Sequence, residues 1–330
     1  MTPTQKPKPK RGGRRERLAQ RAAKPVIDPC PPGQMGGAYR PLSERNIEEI
    51  YQTSLRLLAE LGMGEVPKNL SEKLLAAGAE DTGRGRIVFP PALVEDAIDC
   101  AAKKFVLHGR AEDRSIEVGG QKVYFGTGGA AVQTLDMDSG LYRPSTLRDL
   151  HDFTRLQDRL ANVSWFTRCC IATDVVDNFD LDVNTAYALI KNTTKPVATA
   201  FTLAEHIAPI VQILDIAAGG EGAFSKRPFL KAHISPVISP MRFAEDAVDV
   251  VFGCIAHNIP ISCITAAQAG ATAPATLAGF LAQSLAETLA SLVMVHAIKP
   301  SHPMIFSNWP LVIDLRTGAF SGGSGESAVL

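Results

Sequence analysis

An apolar strand followed by a helix recurs along this chain at nearly constant spacing. That recurrence limits the fold more than any other feature. Strand-like runs are "VSWFTRCCIAT" from Val163, "PVATAFT" from Pro196, "FLKAHISPV" from Phe229 and "ISCITAAQAG" from Ile261, so successive starts lie 33, 33 and 32 residues apart. A further strand, "HPMIFSNWP", starts 41 residues later at His302. Helix-patterned stretches fill the gaps, around 180–192, 203–218, 242–257 and 275–298. Alternation of this kind predicts parallel βα units. The strands are almost wholly apolar, as strands covered on both faces must be.

The class is therefore α/β. The even repeat, and the lack of a glycine fingerprint for a dinucleotide, favour a (β/α)8 TIM-type barrel over a doubly wound sheet. With "KVYFGTGG" as the first strand, about six βα units are visible, so the barrel is expected to be incomplete; two more units would add roughly 65 residues. The final stretch, "GAFSGGSGESAVL", opens like a helix: Ser324 can cap, Glu326 sits in the first turn and apolar residues follow. The sequence stops inside that helix, and the expectation is a chain truncated at its C-terminus.

Three regions follow: a disordered basic tail and linker over 1–38, an N-terminal helical and strand region over 39–121, and the partial barrel over 122–330. Residues 1–24 carry nine lysines and arginines against one acid, Glu16, inside a chain of formal net charge zero. Such a tail can bind nucleic acid, but its composition also fits a solvated leader, which is the favoured reading. In the second region Ser43 caps a helix with Ile47, Ile50, Tyr51, Leu55, Leu58 and Leu61 at helical spacing, and Gly62 ends it. No stretch is expected to span a membrane, because Gln283, Ser284, Glu287 and His296 interrupt the long 275–298 segment. Six cysteines without a CxxC pair, and no secretion signal, point to free thiols in a cytoplasmic protein.

In parallel barrels the chemistry lies at the C-terminal strand ends. Here those ends are rich in Gly, Ser, Thr and Pro and poor in charge, which describes a pocket for a small substrate. Phe125, Phe201 and Trp309 can face a cation through their ring quadrupoles, and Asp174 and Asp314 are the candidate acids to offset its charge. Metal binding is not expected, since His233, His257, His296 and His302 share no ligand spacing. Lys231 lies near the start of its strand, the wrong end for a Schiff-base lysine. "GGSGES" lacks the ending of a phosphate loop. His151, in "DLHDFT", reads as a surface residue.

The segments "YRPLSERNIEEIYQTSLRLLAELGM", "GATAPATLAGFLAQSLAETLASLVMVHAIKP" and "DLRTGAFSGGSGESAVL" strongly resemble the trimethylamine methyltransferase family, in order, from about residue 39 to the end. The resemblance implies transfer of a methyl group from a methylated amine to Co(I) of a separate corrinoid protein. It also implies a barrel with its pocket at the strand ends, and no cofactor on this chain. Family members are longer. The trimethylamine enzymes carry a pyrrolysine at a position beyond Leu330, whereas many relatives lack it and demethylate quaternary amines such as glycine betaine. The full-length protein is expected to form a homo-oligomer, with neither nucleic acid nor membrane as partner. Two other readings stay open: an unrelated barrel enzyme acting on a small metabolite, and an inactive fragment.

Overall fold

The computed structural model describes residues 13–15, 18, 28–320 and 323–330. The expected disorder of the tail up to residue 27 lies largely outside the described residues.

Six strands form one sheet: β1 (Phe125–Gly126), β2 (Val163–Thr167), β3 (Val197–Thr199), β4 (Leu230–Ile234), β5 (Ile261–Thr265) and β6 (Met304–Asn308). Each neighbours the next in chain order, and every pairing is parallel. An order without reversal is the winding of a barrel wall; a doubly wound sheet switches direction at its centre. The result is a curled half-barrel. Phe166, Val197, Ala198, Leu230, Ala232, Ile234, Ile261 and Cys263 are all buried, which accounts for the unbroken apolar runs.

The α-helices α1 (Glu44–Arg56), α2 (Lys68–Ala76) and α3 (Pro91–Cys100) lie before the sheet in the described part of the chain. A main helix follows each strand: α4 (Leu147–Asp158), α5 (Asn178–Asn192), α6 (Ile207–Ala218), α7 (Glu245–Ala256), α8 (Leu277–Ile298) and α9 (Gly325–Val329), with a further short helix, Ala223–Lys226, between α6 and β4. Four of these helices start at side chains that satisfy free amides of the first turn. Ser43 and Asn46 form a reciprocal capping box on α1, Thr146 and Asp149 do so on α4, Asp177 caps α5, and Ser324 accepts from the Ser327 amide at α9.

Helix α8 is central. It packs against α1, α2 and α3 as well as β5 and β6. Ala282, Ala286 and Ala290 are buried along it, and Ser54 of α1 donates a 2.8 Å hydrogen bond to the Ala282 carbonyl. The polar residues Gln283, Ser284, Glu287 and His296 do not interrupt the apolarity of α8 as the sequence suggested. Among the described residues this helix is long and apolar enough to cross a membrane, but most of it is buried inside the fold. Its all-round apolarity is explained by neighbours on every side.

The N-terminal region holds more strand than expected. Met63–Gly64, Glu80–Asp81 and Arg86–Val88 join Val237–Ile238 and Arg242–Phe243, from the loop after β4, in a five-stranded sheet. Gly62 ends the first helical segment, at Leu57–Leu61, with φ +66°. An added Cβ there would meet the Ile87 carbonyl oxygen at 2.1 Å, so only glycine lets the two segments approach.

Two boundaries differ from the sequence reading. The linker is ordered before residue 39, because Gln34–Met35 pairs antiparallel with Lys122–Val123. That pairing occupies Lys122–Val123, so the barrel sheet begins at Phe125.

Candidate active site

The C-terminal ends of the strands enclose a cavity of about 410 Å³, lined by residues of β2, β4, β5 and β6 and by the 127–130 loop after β1. Two glycines bring that loop in close. A Cβ on Gly126 would fall 2.0 Å from the Trp165 ring, and one on Gly129 would fall 2.6 Å from the Arg168 carbonyl. Thr127 locks the loop to β2: its hydroxyl donates to the Thr167 carbonyl and accepts from the Thr167 amide, at 3.1 and 3.0 Å. The Trp309 amide donates to the Thr265 carbonyl at 2.9 Å, which ties the backbone just past β6 to the end of β5, and the half-exposed indole lines the cavity.

Beneath the cavity lies a buried polar cluster. Lys231 and His233 alternate along β4 and so share the face turned into the half-barrel. Lys231 Nζ is 2.5 Å from His233 Nε2 and 4.3 Å from the Trp165 ring centre. Burial pulls the Lys231 ammonium down to about 7. Burial, with Lys231 and Arg168 beside it, pulls His233 down to about 3, so the imidazole is neutral near pH 7. His233 touches the cavity, whereas Lys231 sits one layer lower.

Arg168 is the charged group of the wall. Burial lowers its pKa, and the carboxylate of Asp182 opposes that shift. Asp182 is itself occupied: its oxygens accept from the Thr202 amide and hydroxyl and lie 2.8 Å from His206 Nδ1. Among the described residues no carboxylate lies within ion-pair distance of Arg168, and none lines the cavity.

The five residues singled out from the sequence occupy different places. Trp309 lines the cavity and is half exposed. Phe125 is exposed on the edge strand β1, and Phe201 is buried in the core. Neither lines the cavity. Asp174 accepts a 2.8 Å hydrogen bond from the Leu147 amide and so holds the start of α4. Asp314 lies outside the cavity in Leu311–Asp314, bonded to the Arg316 amide and guanidinium. His151, read as a surface residue, is partly buried with Nδ1 2.6 Å from Asn192 Nδ2. The sequence reading missed Arg168, although a charge one residue past an apolar strand was the available signal.

A larger space of about 850 Å³ lies against Glu65, Glu205, Glu245, Asp246 and Asp249, but no residue of the six strands lines it. Away from this cavity, Asp96 and Cys100 on α3 meet His296 on α8, with donor atoms within 4.8 Å of one another, a spacing that could hold a metal ion.

A barrel-type parallel wall with a cavity at its C-terminal strand ends places the chain among α/β proteins that carry small-molecule sites there. The model of the family described as trimethylamine methyltransferase (MTTB) matches residues 10–330, and the chain belongs to that family. It is 25% identical over 297 residues to a glycine betaine methyltransferase of Desulfitobacterium hafniense (strain Y51), covering 90% of this chain and 61% of the relative. It is 26% identical to the trimethylamine methyltransferase MttB of Desulfitobacterium hafniense (strain DSM 10664 / DCB-2), covering 87% and 58%. It is 25% identical to a proline betaine:corrinoid methyltransferase of Eubacterium limosum, covering 88% and 60%. The chain thus spans about three-fifths of the length of these curated relatives.

Proposed function

We propose that this chain is the substrate-binding part of a methyltransferase that moves a methyl group from a methylated amine to the Co(I) centre of a corrinoid held by a separate protein. The C–N bond breaks with its electron pair left on nitrogen, and the cobalt supplies the pair for the new bond. The corrinoid is a second substrate, so this chain need hold no cofactor of its own. The six strands are read as consecutive walls of a (β/α)8 barrel.

The observation that carries this reading is the cavity at the strand ends of a chain of this family, with Trp309 at its mouth. An indole face attracts a quaternary or protonated amine without requiring it to donate hydrogen bonds. The walls of Gly, Thr, Ser and Asn leave room for a compact head group. The chain's work is positional: the site holds the amine so that one N-methyl group faces the open mouth, in line with the attacking cobalt. Names of relatives include both trimethylamine and betaines, so the amine class comes from them and from Trp309 together.

Proton NMR tests the reaction. Purified chain, reduced corrinoid protein and a methylated amine should together convert the N-methyl signal into that of the demethylated product. Omitting the chain should abolish the change. Equal conversion without the chain would overturn the reading.

A further inference from the structure

The cavity has a cationic wall and, among the described residues, no acidic one. That is the reverse of what a bare ammonium substrate would require. Arg168 reaches the cavity from the end of β2, and no carboxylate is within ion-pair distance of it. Asp182, whose carboxylate acts on Arg168 electrostatically, is already engaged by Thr202 and His206. A largely buried guanidinium without a bound acid costs free energy, and a ligand carboxylate arriving in the cavity would offset that cost. His233, neutral and bonded to Lys231, adds no competing anion.

We propose that Arg168 anchors an acidic group of the substrate, so that the site selects methylated amines that also carry a carboxylate over amines that do not. This rests on the methyltransferase reading above. The two ends of such a zwitterion then have separate partners: Trp309 at the mouth for the methylated nitrogen, and Arg168 on the wall for the carboxylate. Fixing the carboxylate sets which way the N-methyl groups point. A guanidinium suits this task because its planar fork matches a carboxylate with two parallel hydrogen bonds. Arg168 is a specificity residue in this account, and the transferred group never bonds to it.

Isothermal titration calorimetry with glycine betaine and with choline tests the idea. The two share a trimethylammonium group and differ in a carboxylate against a hydroxymethyl group. The wild-type chain should bind glycine betaine at least tenfold more tightly than choline. Arg168→Gln should erase that preference, and Arg168→Lys should keep part of it. Equal affinity for the two ligands in the wild type would overturn the proposal, as would a folded Arg168→Gln chain with unchanged preference. The wild-type comparison decides even if the variants fail to fold.

A third ligand, 3,3-dimethylbutanoate, replaces the ammonium with neutral carbon. If it binds as tightly as glycine betaine and no amine donates a methyl group, the methyltransferase reading falls and the acid anchor stands. If choline and trimethylamine donate methyl groups as well as betaine does, the anchor falls and the methyltransferase reading stands. Binding of none of these ligands would overturn both.

Discussion

Lys231 Nζ lies 4.3 Å from the centre of the Trp165 ring, a cation held over an indole inside the half-barrel. The ring face, together with His233 Nε2 at 2.5 Å, offsets part of the cost of that burial. Even so, the amine is pulled from its ordinary 10.5 down to about 7.

A pH dependence of stability follows. Between about 7 and 10.5 the unfolded chain holds a proton on this lysine that the folded chain has released. Unfolding therefore takes up a proton, and stability rises with pH across that window. Below about 7 both states are charged, and the folded state bears the full cost of burial. Lys231→Met should raise the thermal midpoint most near pH 6, with the gain shrinking as pH approaches 10. Thermal unfolding of both chains across this range checks it, and a gain independent of pH would refute it.

Gly62→Ala should cost about 2–4 kcal/mol, because it combines a left-handed φ with backbone overlap. The residue has φ +66°, and its new Cβ would sit 2.1 Å from the Ile87 oxygen. Urea denaturation gives the value. A loss below about 0.5 kcal/mol, the size of an ordinary surface change, would show that the contact relaxes easily.

Glu287, buried on α8, organises the loop that follows β4. Its carboxylate accepts from the Ser239 hydroxyl at 2.7 Å, the Met241 amide at 3.0 Å and Gln283 Nε2 at 3.0 Å. Glu287→Ala leaves three donors unmatched and should cost about 3 kcal/mol. Amide exchange at Met241 should accelerate more than exchange at the centre of β5. Uniform acceleration across the sheet would mean that the carboxylate stabilises the fold without holding this loop in particular.

Much of the wall was legible from the sequence because parallel strands advertise themselves by apolarity and spacing. The caps at Ser43 and Ser324 were legible for the same local reason: each partner lies within a few residues. Side-chain direction at the strand ends was not. Asp174 belongs to α4 through the Leu147 amide, 27 residues away, and no local pattern encodes that bond. Phe201 sits just past β3 on the chain, yet the turn carries its ring into the core. Arg168 was passed over because the charge-poor strand ends were read as a pocket with a few acids, Asp174 and Asp314, when one basic group can dominate so small a space. The early order at Gln34–Met35 depends on Lys122–Val123, a strand partner far along the chain.

Trp309→Ala should weaken amine binding about fivefold, the equivalent of roughly 1 kcal/mol for a partly exposed cation–ring contact. Because the indole is half exposed, the thermal midpoint should hardly move. Titration of a methylated amine into both chains provides the comparison. Unchanged affinity would remove Trp309 from the site while leaving the cavity itself in place.

Presentation of a methylated amine to a reduced corrinoid can be followed by anaerobic spectroscopy of the cobalt. The reduced corrinoid protein is mixed with the chain and, in turn, trimethylamine, glycine betaine or choline, while the Co(I) absorption is followed. Co(I) should convert to the methylated corrinoid with at least one amine, in step with loss of one N-methyl group and only when the chain is present. Persistent Co(I) absorption with every amine, from a corrinoid protein that methyl iodide readily methylates, would contradict it.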